Sequence, residues 1–561
     1  MRRTLLLALA GALCLLVPLT AGAAKQAPTR HTYVVLYERG ATVKAAHTAI
    51  KRAGGRILRE YRRVGVATVR SANARFVTAV ARARAVVGAA RNRSIGYAPA
   101  SRARARDPFA LERMTDLRKS AGGNGRVYHG GSSPAEPFAD LQWDMRAINA
   151  TPSGSYKRQR GNHGVRIGIL DTGIDGSHPD IAPNFNASLS RNFTTDIPLI
   201  DGPCEVASCV DPANVDEDGH GTHVAGTVAA PINGLGMAGV APKVELVNIR
   251  AGQDSGYFFL QPSVDALTYA ADIGVDVVNM SYYIDPWLYN CANNPADSPE
   301  EQAEQQTIVA ATERALAYAK ARGVTLVSAE GNGHTDLGKP VVDDTSPDFP
   351  PESERVRQID NSCKSEPLEA PGVLGITSFG PSGRKAYYSD YGREQADLSA
   401  PGGDRRDFFG TSRYNTPANT VLAPYPKSLA IANGELNPDG TPNTPFVLAD
   451  CSQGDCAYYQ YLQGTSMASP HAVGVGALVV ASRGHRDKAH GGLTLSPDVV
   501  EKVLKRTAQD HACPDPPLQT YPDPDLLPSP EAYTALCEGT PEFNGFYGEG
   551  WVDALAASKK R

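Results

Sequence analysis

Val165-Arg-Ile-Gly-Ile-Leu-Asp171-Thr-Gly173 is the stretch on which the fold turns. It is too continuously apolar for a half-exposed strand, so it reads as a strand buried on both faces that ends in an acid. Similar runs occur at 244–249, 276–280 and 324–328, and helical patterns lie at 263–273 and 304–322, with two more beginning at His220 and Ser466. Strands alternating with helices predict an α/β fold with a mainly parallel sheet covered by helices. Residues 403–463 break this rhythm with Pro, Gly, Asn and two cysteines, and read as a surface insertion rather than a domain.

Open parallel sheets place their crevices at the carboxyl ends of the strands, which is where Asp171 falls. An aspartate in such a place is often only a cap, so the other motifs matter. His220-Gly-Thr-His-Val-Ala-Gly-Thr227 opens a helix with a histidine, and its small residues permit close approach to the sheet. Gly464-Thr-Ser466-Met-Ala-Ser-Pro470 sets a hydroxyl at a helix N-terminus, where unpaired N–H groups and the helix dipole favour a developing oxyanion. A serine is a feeble nucleophile without a base, and an imidazole base needs an acid to hold its tautomer. The three motifs therefore account for one another. His178, His223 and His471 read as packed residues, and His220 with His223 lacks the two-His, one-Glu helical pattern of a zinc site.

Taken in this order, Asp171-Thr-Gly, His220-Gly-Thr-His and Gly-Thr-Ser466-Met-Ala-Ser-Pro resemble the subtilisin family of serine proteases, from about Gln142 to Gly550-Trp-Val-Asp-Ala. The resemblance implies a subtilisin-like three-layer fold and a catalytic triad of Asp171, His220 and Ser466 acting as a serine endopeptidase. It implies an oxyanion donor at Asn332 of Ser328-Ala-Glu-Gly-Asn332. Substrate would add as a strand beside Asp254–Gln261, with Gly256, and beside Met280-Ser281-Tyr282-Tyr283. The family's usual Leu-Gly is replaced here by Tyr282 and Tyr283, which reshapes the main side-chain pocket, so no cleavage preference carries across. A structural calcium is expected at Asp180, nine residues after Asp171, and at Asn233 in the loop Pro231–Met237, while the chemistry itself needs no cofactor. Sedolisin-type enzymes share Gly-Thr-Ser but use a glutamate base, against which His220 argues. A catalytically dead scaffold is opposed by the complete set Asp171, His220, Asn332 and Ser466.

The chain begins with Arg2 and Arg3, an apolar run from Leu5 to Leu19 and the small residues Ala21-Gly-Ala23, the order of a secretory signal peptide over 1–23. The run is too short for a membrane anchor, so an exported, extracellular product with no membrane attachment is expected. Residues 25–98 show strands at 32–37, 64–69 and 86–97 and helices at 41–53 and 73–83, a small α+β domain. By the same resemblance this is a ferredoxin-like inhibitory propeptide and chaperone, the chain's own intramolecular partner. Residues 99–137, rich in Arg, Gly, Ser and Pro, read as a flexible, cleaved linker before a peptidase domain over 138–556.

Residues 25–135 hold 23 Lys and Arg against 5 Asp and Glu, whereas 136–561 hold 31 against 55. Without interleaved aromatics or a nucleic-acid module, the basic segment points to the acidic remainder of the chain, not to nucleic acid. Beyond Cys14 in the signal, eight cysteines remain, an even set that suits an oxidising compartment. Cys204 with Cys209 and Cys451 with Cys456 would close small loops, leaving Cys291, Cys363, Cys513 and Cys537 with their pairing open. The absence of any Cys-x-x-Cys pair speaks against zinc.

Overall fold

The computed structural model describes residues 30–92, 111–118, 122–130, 136–521 and 530–559. The expected signal peptide and the remainder of the expected linker lie outside the described residues.

The N-terminal unit runs β1 (His31–Tyr37), α1 (Val43–Arg52), β2 (Gly55–Tyr61), β3 (Val66–Ser71), α2 (Phe76–Ala81) and β4 (Val86–Asn92). Its antiparallel sheet has the order β2-β3-β1-β4. Strand β2 is absent from the sequence reading because Arg-Ile-Leu-Arg-Glu-Tyr lies on an edge and keeps much of its surface in solvent. Thr42 caps α1 by accepting from the Ala45 N–H, and Lys51 and Arg52 oppose the negative end of the helix dipole. Strand periodicity divides the side chains between two cores. Tyr33, Val35 and Tyr37 pack under α1 and α2, whereas Val34, Leu36, Val66 and Ala90 pack against the larger unit.

The larger unit contains β5 (Arg166–Leu170), α3 (His220–Ala229), β6 (Glu245–Arg250), α4 (Leu260–Asp272), β7 (Val277–Met280), α5 (Pro299–Ala321), β8 (Thr325–Ala329), β9 (Val373–Phe379) and β10 (Ala396–Pro401). These strands pair in parallel in the order β10-β9-β8-β7-β5-β6, with the two-residue strand Arg191–Asn192 on the far edge. Helix α5 starts earlier than its apolar periodicity indicates, because Ser298 and Glu301 form a capping box with Pro299 at the first helical position.

The stretch expected to be only a surface insertion carries its own sheet. β11 (Val421–Pro424), β12 (Val447–Asp450) and β13 (Ala457–Leu462) pair antiparallel. Val127–Tyr128, from within the expected flexible linker, adds to β12 in parallel. Tyr458, Tyr459 and Tyr461 drive this burial, each 5% exposed or less. The long helix α6 (Thr465–Arg483) follows. α3 and α6 share one core with the sheet, and α4 and α5 share the other, giving three layers. Disulfides join Cys204 to Cys209, Cys291 to Cys363, Cys451 to Cys456 and Cys513 to Cys537, which fixes the pairing left open above. Among the described residues no helix is long and apolar enough to cross a membrane.

Candidate active site

Three ends of elements meet at the carboxyl edge of the sheet. Asp171 leaves β5 with a fully buried side chain whose Oδ1 accepts from the Thr172 N–H at 2.8 Å and lies 2.7 Å from His220 Nδ1. His220 opens α3, and the helix comes this near because residue 221 is glycine. A Cβ there would stand 2.1 Å from the Gly173 carbonyl oxygen. The turn before α3 is gathered by Asp216, which accepts from the Thr222 N–H and hydroxyl, the Gly219 N–H and the Thr172 hydroxyl. Sequence reasoning did not single out Asp216, although an acid four residues before the helix histidine was there to be read.

Ser466 lies in the first turn of α6. Behind it, the Ser281 hydroxyl donates to the Ser466 carbonyl at 3.1 Å and sits 2.9 Å from the Ser469 hydroxyl, whose own proton goes to Asn279. Ser281 thus braces the helix that carries Ser466. Asn332, after β8, has its Oδ1 taken by the N–H and hydroxyl of Thr465, so its amide N–H₂ faces the cleft.

The Ser466 hydroxyl does not donate to His220 in this state. It donates to Glu112 Oε1 at 2.7 Å, and Asn332 Nδ2 donates to the same oxygen at 2.6 Å. The other oxygen, Oε2, lies 3.0 Å from His220 Nε2. One carboxylate from the expected linker therefore spans Ser466, His220 and Asn332. Its segment Leu111–Arg118 is anchored by buried Met114 and by ion pairs from Arg113 to Asp218 and from Arg118 to Glu435. A flexible linker was expected here, but apolar burial and charge pairing hold this part in the cleft. Burial alone pushes the His220 imidazole down, yet the carboxylates of Asp171 and Glu112 on its two nitrogens outweigh it and hold it well above 6.5. Burial pushes Asp171 up, opposed by His220 and the Thr172 N–H.

The cleft beside Ser466 encloses about 290 Å³. Gly256, Tyr257 and Phe258 form one wall, and Ser281, Tyr282 and Tyr283 form another. Tyr282 turns its ring flat onto Phe258, with centroids 4.2 Å apart, while the Tyr283 hydroxyl donates to Asp348 at 2.6 Å. The end of the expected substrate-binding segment is helical, since α4 begins at Leu260. Glu330, Asp285, Asp348 and Asp390 also line the cleft. Glu330 is 2% exposed, and neither carboxylate oxygen has a hydrogen-bond partner. Burial, then Asp397, Asp390 and Glu369, push it well above the carboxylate range. Burial thus favours the protonated, neutral form of this lining acid.

Asp180 and Asn233 do meet, but not as a cation site. Asp180 accepts from Asn233 Nδ2 at 3.1 Å, from the Tyr459 hydroxyl at 3.0 Å and from the Met237 N–H at 3.3 Å. The phenol of Tyr459 reaches into the loop at Gly236, where a Cβ would stand 1.9 Å from its oxygen. These residues do not fit the calcium that the resemblance implied, because a donor from β13 stands in for it. His178, His223 and His471 are packed: each places Nε2 on a backbone carbonyl or, for His471, on Asp144.

The Peptidase S8 model, described as the subtilase family, matches residues 162–550. The chain is 26% identical over 355 residues to the thermophilic serine proteinase of Bacillus sp. (strain AK1), covering 63% of this chain and 58% of that protein. It is 27% identical over 318 residues to subtilisin DY of Bacillus licheniformis, covering 56% and 77%. Among solved structures, the epidermin leader peptide processing serine protease of Staphylococcus aureus is similar with a TM-score of 0.59 at 20% identity, over 95% of this chain and 99% of that one. Fervidolysin from Fervidobacterium pennivorans gives 0.55 at 19% identity, over 96% and 62%. At these identities the structures speak for the shared fold.

Proposed function

This chain belongs to the subtilase family of serine proteases, and we propose that it is a secreted endopeptidase made as an autoinhibited precursor, with Asp171, His220 and Ser466 as its triad. The observation that carries the reading is the single carboxylate of Glu112 held at once by Ser466, Asn332 and His220.

A scissile carbonyl taking the place of Glu112 Oε1 would lie in contact with the attacking hydroxyl and the Asn332 amide. Ser466 attacks the carbonyl carbon while His220 Nε2 takes the hydroxyl proton, and Asp171 holds the imidazole with Nδ1–H toward its own Oδ1. Asn332 Nδ2 and the Ser466 N–H stabilise the oxyanion. His220 returns the proton to the leaving amine, and water releases the acyl group by the reverse route. The side chain preceding the scissile bond enters the cleft above Glu330, for which Lys and Arg are the fitting residues. While Glu112 is in place the imidazole is paired on both sides and cannot accept the Ser466 proton, so the intact chain is silent. The N-terminal unit is then the inhibitory and chaperoning pro-segment, and the apolar leader exports the product.

The test is a fluorophosphonate probe applied to intact chain, Glu112→Ala and Ser466→Ala, followed by N-terminal sequencing of any mature product. Fast labelling of Glu112→Ala, slow labelling of the intact chain and none of Ser466→Ala are expected. A glutamate-base mechanism predicts the opposite for Glu112→Ala, namely loss of labelling. Absence of labelling in every form, including processed product, defeats the proposal.

A further inference from the structure

Asn332 stands in an irregular loop, 331–335, whose shape is set by a neighbouring segment. The Asp390 N–H donates to the Gly331 carbonyl at 2.9 Å, the His334 N–H to the Tyr388 carbonyl at 2.8 Å and the Tyr391 N–H to the Thr335 carbonyl at 3.0 Å. Asp390 Oδ1 accepts from the Thr335 N–H at 2.6 Å. His334 itself holds φ +58, a left-handed conformation that is unfavourable for a residue bearing a Cβ and persists only where the surroundings impose it. The amide of Asn332 therefore depends on what holds the segment from Tyr388 to Tyr391.

That segment turns around Lys385, whose side chain is fully buried. Its Nζ donates to the Ser389 carbonyl at 2.8 Å and to the Ala386 carbonyl at 3.0 Å, and lies 3.5 Å from His334 Nδ1. The rings of Tyr391, Phe546 and Tyr521 stand 5.0, 5.7 and 5.9 Å from it. Burial and the ammonium push the His334 imidazole down to about 3, so the ring is neutral and Nδ1 is able to accept. Among the described residues Lys385 makes no ion pair. Burial lowers the ammonium to about 7 against the pull of Asp390 and Asp404. A buried cation without a carboxylate partner is costly, and an apolar side chain of the same length would fill the space more favourably. Packing does not account for a lysine here. What the ammonium does is gather two carbonyls of one turn beside a ring of the loop that carries Asn332.

We infer that Lys385 is a positioning residue for Asn332, its ammonium tying the turn 386–389 to His334 and so holding the amide toward Ser466. The inference rests on the reading of Asn332 as oxyanion donor. An amide allowed to stray loses most where charge develops on the substrate oxygen, so the effect falls on kcat and spares KM.

The experiment compares wild type, Lys385→Met, Asn332→Ala and the double variant, each tagged, processed in trans by wild-type enzyme and repurified. Steady-state hydrolysis of one peptide is measured, with thermal unfolding in parallel. Methionine fills the space without the charge, so Tm should hold or rise. Lys385→Met should lower kcat by at least about tenfold with KM changed by less than about twofold. In the Asn332→Ala background the same substitution should cost less than about threefold, because the amide it positions is gone. Equal losses in the two backgrounds, or a loss expressed in KM, would give Lys385 a merely structural role and overturn the inference. His334→Asn, which keeps a residue at home at positive φ but removes the ring, should lower kcat in the same sense, and it decides if Lys385→Met does not fold. Undiminished kcat in Asn332→Ala would strike the reading of Asn332 itself, and the inference with it.

Discussion

At Nε2 of His220 the closed cleft supplies a counter-charge that an open cleft lacks, and proton linkage follows from that difference. The imidazole is held well above 6.5 by Asp171 and Glu112. A raised pKa means the closed state binds the proton more tightly. Its contribution to closure is complete below the open-state value and is lost as pH rises through the closed-state value. Opening is therefore favoured by alkali. In a Ser466→Ala background, Glu112→Ala should lower the His220 titration midpoint seen by NMR, and an unchanged midpoint would show that Glu112 does not act through the imidazole. Glu330 makes the companion case on the substrate side. A charge-assisted contact is worth roughly 1.5–3 kcal/mol, or about 10–150-fold. Glu330→Gln in processed enzyme should cut kcat/KM for peptides with Arg or Lys before the cut by that factor and spare those with Leu. Equal losses on both substrates would place Glu330 outside the specificity pocket.

The elements that position Asp171, His220 and Ser466 were legible because each carries its own signal. β5 and β7 are apolar runs of strand length, and the residues bearing Asp171, His220 and Ser466 sit at their ends or at helix starts. Less was legible where partners come from far away in sequence. Nothing local in Leu111-Glu-Arg-Met marks Glu112 as a residue of the cleft, except that it is a rare acid in a basic segment. The calcium expectation at Asp180 failed for the same reason, since Tyr459, which replaces the ion, comes from an insertion whose Pro and Gly content hid three strands. Gly236 reports on this replacement. It has φ +52, and a Cβ would stand 1.9 Å from the Tyr459 hydroxyl. Gly236→Ala must displace the phenol and leave buried Asp180 short of a donor, at an expected cost of about 2–4 kcal/mol. Tyr459→Phe, which removes only the hydroxyl, should cost about 1–3 kcal/mol. Urea unfolding of the inactive chain measures both, and a neutral Gly236→Ala would mean that the loop does not close on Tyr459.

Across the whole molecule, the basic N-terminal unit sits on the acidic catalytic unit, which invites the view that charge holds them together. The contacts divide the work differently. Arg63 with Asp272 is an exposed pair at 2.6 Å, and Arg59, itself 54% exposed, meets Asp265 at 3.0 Å. The Arg63 pair, exposed on both sides, contributes about 0–1 kcal/mol and is screened by salt, whereas Arg59 reaches a carboxylate that is itself buried. Between them, Val34, Leu36, Val66 and Ala90 are buried with Leu260, Val264, Ile308 and Ala311. Leu36 points to this interface and not to the unit's own core, so truncating it taxes docking more than folding. Long-range charge steers encounter, whereas apolar contact governs escape. After the linker is cut, raising salt from about 0.05 to about 1 M should slow association of the separated units and leave dissociation nearly unchanged. Leu36→Ala should do the reverse, speeding dissociation by an amount equivalent to about 2–5 kcal/mol at unaltered association. Stopped-flow mixing of the unit with processed enzyme separates the two rates. Dissociation that accelerates steeply with salt would return the interface to electrostatics, and with it the reason for the opposed charges of the two halves.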